Sequence, residues 1–170
     1  MNKRNMDELT AYMDAYSFVE FSSGQTIISL ARTVELMRLV YKKFYNQYQL
    51  SEPKFFVLLL LGKNKEGIPL NEIGKMMLVS RANMTTLIER MVKDGYVEKR
   101  ENEEDKRSTK AVLTDLGQEV LDEVSDFHKE FSHKLVSALS EDEKEIMNKL
   151  LKKIQVGIIE DFSQCEETEK

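Results

Sequence analysis

The stretch "MLVSRANMTTLIERMVKDGYVEKRENEEDKRSTKAVLTDLGQEVL", Met77 to Leu121, decides the fold. Within it Met84, Leu87, Ile88 and Met91 recur at helical spacing and mark a buried face. Ala82, Thr86, Glu89 and Lys93 fall opposite, with Thr85 and Arg90 on the flanks. Ser80 stands where an N-cap belongs, and Gly95 ends the helix. "GYVEKR" and "AVLT" then read as two short strands around the polar "ENEEDKRSTK", Glu101 to Lys110. Seven of those ten residues are charged. Such a segment is either a solvated hairpin loop or a finger that touches something charged.

Working upstream, "PLNEIGKMM" predicts a short helix and "LVS" a tight turn into the next one. Two short helices joined by about three residues, then a hairpin, make a winged helix-turn-helix. "LSEP" starts an earlier helix, with Ser51 as N-cap and Pro53 in its first turn. The "KFFVLLLL" within it is apolar nearly all round, which places that helix centrally. Before it, an amphipathic opening, "MDELTAYMDAYSFVEF", is predicted to break at "SSG", Ser22 to Gly24. A long helix follows from Thr26 to Tyr48, its apolar face carrying Ile27, Ala31, Val34, Met37, Tyr41, Phe44 and Tyr48.

Downstream, Thr114 caps a helix of about 25 residues, roughly 37 Å long. Its apolar line is Leu116, Val120, Val124, Phe127, Phe131 and Leu135. "SEDE", Ser140 to Glu143, is a capping box for a last helix bearing Met147, Leu150, Ile154 and Ile158. Apolar stripes that outrun their own domain predict burial against a second copy. The expected class is mainly α: a winged helix-turn-helix domain with a two-stranded wing, flanked by N- and C-terminal dimerisation helices. The boundaries are 1–49 for the N-terminal helices, 50–114 for the winged domain, and 115–170 for the C-terminal helices and acidic tail.

Composition narrows the function. With 170 residues, two prolines and seven glycines, the chain suits a soluble, helix-rich protein with a real core. The net charge is −5, but it is unevenly spread. Gly74 to Lys110 holds nine Lys or Arg against seven Asp or Glu, whereas the residues from Ala111 onward hold seven against fifteen. A locally basic centre can meet an anion while the flanks keep the protein soluble. "FFVLLLL" is too short to cross a bilayer and nothing resembles a signal peptide, so no membrane is expected. The single cysteine, Cys165, allows no internal disulfide and fits a cytoplasmic location. No phosphate-cradling loop, nucleophile elbow or His-Glu-x-x-His is present, so an enzyme is the weakest class. His128 and His133, five apart, do not share a helix face, and no metal or cofactor is expected. Met76, Met77, Met84 and Met91 read as core fillers rather than a redox site.

The serine-led helix, "LIERMVKDGYVEKR", the Asp-x-Arg in the polar loop and "LTDLGQEVL" together resemble the MarR family of winged helix transcriptional regulators. The likeness covers Leu50 to Leu121, and the flanking helices match in pattern only. It implies a homodimer clasped by helices from both termini and bound to double-stranded DNA. Each protomer would read half of a pseudo-palindromic operator, with segment 80–94 in the major groove and wing 100–110 at the minor groove. Ser80, Arg81, Asn83, Thr85, Thr86 and Lys93 are then the recognition-helix contacts, with Arg81 suited to guanine and Ser80, Thr85 and Lys93 to phosphates. In the wing, Asp105 would orient Arg107, supported by Lys106, Ser108 and Lys110. The resemblance further implies a repressor released by a small aromatic or acidic effector, for which Tyr16, Phe18, Phe21, Tyr41, Phe44 and Tyr45 are pocket candidates. In some members a cysteine near the N-terminus senses oxidants; Cys165, in the acidic tail, does not match it. A dimeric winged scaffold that binds a protein rather than DNA is the alternative that the acidic total leaves open.

Overall fold

The computed structural model describes residues 8, 11–12, 14–15, 22–102, 105 and 108–168. It divides into two compact units, Met1–Leu121 and Asp122–Lys170. In the first unit, helix α1 spans Ser22–Asn46. Ser22–Gly24, where the sequence predicts a break, form its first described turn, and the residues just before them lie outside the described ones. At the other end Phe44 and Tyr45 are buried, and Leu50 closes the turn through its amide onto Tyr45 O at 3.1 Å. The Tyr45 ring lies 5.4 Å from that of Phe55, and burial pushes its phenol well above the ordinary tyrosine range.

Helix α2 (Glu52–Gly62) is central, as its apolar run demands, with Phe55, Val57, Leu58 and Leu61 buried. Ser51 occupies the N-cap position, although its hydroxyl makes no capping bond. Strand β1 (Ile68–Pro69) follows, then the short helix α3 (Leu70–Met76) and helix α4 (Arg81–Lys93). Ser80 caps α4 by accepting from the Asn83 amide at 3.4 Å. Strands β2 (Val97–Glu101) and β3 (Thr109–Leu113) pair antiparallel, with Arg100 opposite Lys110 and Glu101 opposite Thr109.

The expected two-stranded wing is present as β2 and β3, and β1 extends it at one edge. The sheet has three strands in the order β1-β3-β2, because Ile68 pairs with Ala111 and Pro69 with Lys110. A two-residue strand has no alternation to read, and its proline is tolerable only at an edge. Met76 is 59 % exposed rather than core. It sits at the end of a seven-residue helix whose buried positions are Ile73 and Gly74, one face being all so short a helix can bury.

The α4 end is a tightly made corner. Gly95 has φ 79, its amide donates to Val92 O at 3.0 Å, and the Tyr96 amide donates to Met91 O at 3.0 Å. These are the two hydrogen bonds of a Schellman cap. Helix α5 (Asp115–Leu135) begins against the same corner. The Thr114 hydroxyl donates to Gly95 O at 2.7 Å and accepts from the Gly117 amide at 3.0 Å. A Cβ at Gly117 would meet Tyr96 O at 2.1 Å. At 21 residues α5 is shorter than expected, since Val136–Leu139 forms a turn before the next cap. Helix α6 (Glu141–Thr168) starts at the predicted capping box. Glu143 accepts from the Ser140 amide at 2.8 Å, and Ser140 Oγ accepts from the Glu143 amide at 3.3 Å. Among the described residues no helix is long and apolar enough to cross a membrane.

Thermal melting tests both ends of this description. Gly95→Ala should cost about 1 kcal/mol or somewhat more, because the left-handed backbone is strained and the new Cβ, 3.3 Å from Leu116 Cδ2, meets only the end of a side chain that can shift. Gly117→Ala should cost clearly more, because a backbone carbonyl occupies the space. Equal melting temperatures for the two would contradict the corner as described. The hydrogen bonds from Ser140 hold the Glu143 carboxyl below its ordinary value. A depressed folded-state value stabilises above the usual carboxylate range and is lost as pH falls through the folded value. Wild type should therefore outlast Ser140→Ala at pH 7 by a margin that narrows towards pH 3, followed by circular dichroism. A margin constant with pH rules out the carboxylate's share.

Candidate nucleic-acid interface

Helix α4 presents its polar side because its apolar side is taken. Met84, Ile88 and Met91 are buried, so Arg81, Ala82, Asn83, Thr86, Glu89, Arg90 and Lys93 face outward and are exposed. Thr85 is half-buried on the flank. The helix is held close to α3: a Cβ at Gly74 would lie 3.1 Å from Val79 O and 3.8 Å from Met84 Cβ. At its far end Asp94 takes an ion pair from Lys54 Nζ at 2.6 Å, tying α4 to the first turn of α2.

The hydroxyls are already oriented. Thr85 Oγ1 donates to Arg81 O at 2.9 Å, and Thr86 Oγ1 donates to Ala82 O at 3.1 Å. Each therefore turns lone pairs rather than a proton outward. Ser80 is the reverse, since its oxygen accepts from Asn83 and its proton remains to donate. Glu89, the acid on this face, lies 3.5 Å from Lys99 Nζ on β2, and Glu98 pairs with Arg100. These exposed pairs are worth little in stability, but they offset negative charge beside the helix. Among the described residues Arg81, Lys75 and Lys93 are exposed cations with no ion pair.

In the wing the polar stretch has an internal purpose at its base. Asn102 is only 5 % exposed, and its amide donates to Ser108 O at 3.2 Å while Nδ2 donates to Ser108 Oγ at 2.8 Å. The Ser108 amide and hydroxyl in turn donate to Asp105 O at 2.8 and 3.0 Å. Ser108 thus closes the hairpin below its tip. Lys110 is half-buried on β3. Lys106 and Arg107 lie outside the described residues. Asn102 went unnoticed in the sequence, although an asparagine ending a strand before a polar turn is a usable turn signal. Lys75, exposed beside this face, is not a candidate from sequence because nothing in a lone cation's neighbours marks it.

The remaining candidates separate. Tyr41 lines a hollow of about 430 Å³ with Val34, Met37, Glu52, Phe56 and Met77. Phe44 and Tyr45 are core. Tyr16, Phe18 and Phe21 lie outside the described residues. Among the described residues no group of three or more His, Cys, Asp or Glu side chains could hold a metal ion. His128, half-buried and held below the ordinary histidine range by that burial, lies near Ser132, whereas His133 is exposed.

What is gathered on the α4 face and wing is a set of binding groups: guanidinium, amide, hydroxyls and ammonium. Residues 50–109 match the MarR family model. The chain is 28 % identical over 144 residues to the HTH-type transcriptional repressor YetL of Bacillus subtilis, covering 84 % of this chain and 86 % of that one. It is 29 % identical over 127 residues to the HTH-type transcriptional regulator BilQ of Clostridioides difficile, covering 73 % and 85 %. A mutant of Escherichia coli MarR, solved in complex with operator DNA, superposes with a TM-score of 0.66 at 25 % identity, covering 76 % and 95 %. With winged helix-turn-helix architecture and sequence in agreement, this chain belongs to the MarR family of transcriptional regulators.

Proposed function

We propose that this protein is a homodimeric repressor that binds a pseudo-palindromic operator and is released by a small molecule. The carrying observation is the outward face of α4, on which Arg81, Asn83 and Thr86 are exposed while the opposite side is buried. A helix of this size enters the major groove of B-form DNA, and residues near its N-terminus reach base edges. Arg81 carries the bidentate fork that guanine O6 and N7 accept. Asn83 and the Thr86 lone pairs suit adenine and amino groups, while Ser80, Thr85 and Lys93 hold phosphates and set register. Segment 100–110 is the wing, with Asp105 orienting Arg107 at the minor groove and Lys106, Ser108 and Lys110 supporting it. The names of the relatives, a repressor and an operator complex among them, support this reading.

Residues 1–49 and 115–170 serve as dimerisation segments. Large apolar side chains are exposed along each described helix there: Ile27, Leu39 and Val40 on α1, Phe127 on α5, and Ile146, Leu150 and Ile158 on α6. That much wet apolar surface favours a second copy. The hollow beside Tyr41 is of ligand size and is the place for the small aromatic or acidic compound, although Arg38 at its edge is paired with Glu35 at 2.7 Å. A compound that binds better to the form whose two wings do not fit the operator shifts the population off DNA.

A selection from random duplexes, followed by a salt titration, tests the DNA reading. Binding should fall steeply with salt, and Arg107→Ala should reduce the log–log slope by about 1. Arg81→Ala should cost about 1–3 kcal/mol and relax one base position. Salt-insensitive binding, or a pool that yields no duplex, favours a protein partner instead. For the effector, an aromatic acid that raises the melting temperature of free protein should weaken operator binding in an anisotropy assay, and Tyr41→Ala should abolish both effects. Stabilisation without any loss of operator affinity would contradict release.

A further inference from the structure

Leu78 combines two features that single residues rarely share. Its backbone is left-handed, with φ 52, a conformation that crowds the Cβ of any residue but glycine. Its side chain is 96 % exposed, so no packing within the chain offsets that strain. One exposed leucine is ordinary on a protein surface; one that also holds a strained backbone is not. Gln49 shares the positive φ, but its side chain is polar and suits water. The turn does need a left-handed residue, since it brings the Val79 amide back onto Gly74 O at 2.9 Å. It does not need a leucine, because glycine makes the same turn without strain.

The position explains what the side chain could meet. Leu78 borders one shallow hollow together with Asn71, Lys75 and Arg81. Being three residues from Arg81, its Cα lies within about 11 Å of that residue's. That is roughly three base-pair steps of a duplex. An apolar group sharing a hollow with two exposed cations matches the edge of a major groove, where thymine methyls project between the phosphate rows.

We propose that Leu78 touches DNA directly, its isobutyl group resting on a thymine 5-methyl next to the bases that Arg81 reaches. The contact rests on the DNA-binding reading above and adds to it a residue that selects thymine. The strained turn is then the means by which an apolar probe is held clear of the protein surface.

Wild type, Leu78→Gly and Leu78→Met are compared on the duplex that wild type selects. Each thymine is replaced in turn by deoxyuridine, which removes only the methyl. In wild type one replacement per half-site should weaken binding about threefold to tenfold. Leu78→Gly should bind the thymine duplex weaker by a similar factor and no longer distinguish thymine from uracil there. Leu78→Met, which keeps apolar reach, should retain the distinction. Leu78→Gly should melt within a few degrees of wild type, which separates lost contact from lost fold. Wild type indifferent to every replacement, or Leu78→Gly as sensitive as wild type, overturns the proposal. A pool that yields no duplex overturns this inference and the DNA reading together, whereas a bound duplex with no methyl dependence overturns this inference alone.

Discussion

Burial of Met84, Ile88 and Met91 orients everything else on α4. Each such side chain contributes about 1.5–3 kcal/mol when it leaves water. The exposed pairs on the other side, Lys99 with Glu89 and Arg100 with Glu98, are worth about 1 kcal/mol or less each. The apolar side therefore decides which way the helix rolls, and the polar side follows. Arg81, Asn83 and Thr86 point outward because Met84 and Ile88 cannot, and no interaction of their own is required.

Rolling the helix is not enough; its ends must also be held. Ser80 satisfies an amide at the front, and the Gly95–Tyr96 corner satisfies carbonyls at the back. The Thr114 hydroxyl then bonds Gly95 O and the Gly117 amide, so the return of the wing and the start of α5 are set by the same few atoms. Gly117 is where side-chain volume is forbidden, with Tyr96 O in its place. The first turn of α5 and the end of the recognition helix are thus joined by hydrogen bonds. Lys54 and Asp94 add a second tie, from α2.

The wing shows how a polar segment can be both structural and presenting. Asn102 and Ser108 use their hydrogen-bonding capacity on each other and on Asp105 O, which closes the hairpin beneath its tip. The base of the wing is therefore an ordered closure rather than a merely solvated loop. Ser108, read from sequence as a contact residue, is engaged in that closure. Its amide and hydroxyl serve the hairpin's own shape.

Much of this was legible in the chain. The Ser80 cap, the buried face of α4, the hairpin and the Ser140–Glu143 box all depend on residues within a few positions of one another, where periodicity and capping chemistry act locally. The edge strand at Ile68–Pro69 and the exposure of Met76 and Leu78 depend on neighbours distant in sequence. A two-residue strand exists only because Ala111 and Lys110 arrive beside it, and a methionine is core only if something covers it. Sequence by itself determined which residues are helical, capped and amphipathic. Tertiary structure alone decided which apolar residues stay wet, because burial is a property of what packs against a side chain and not of the side chain.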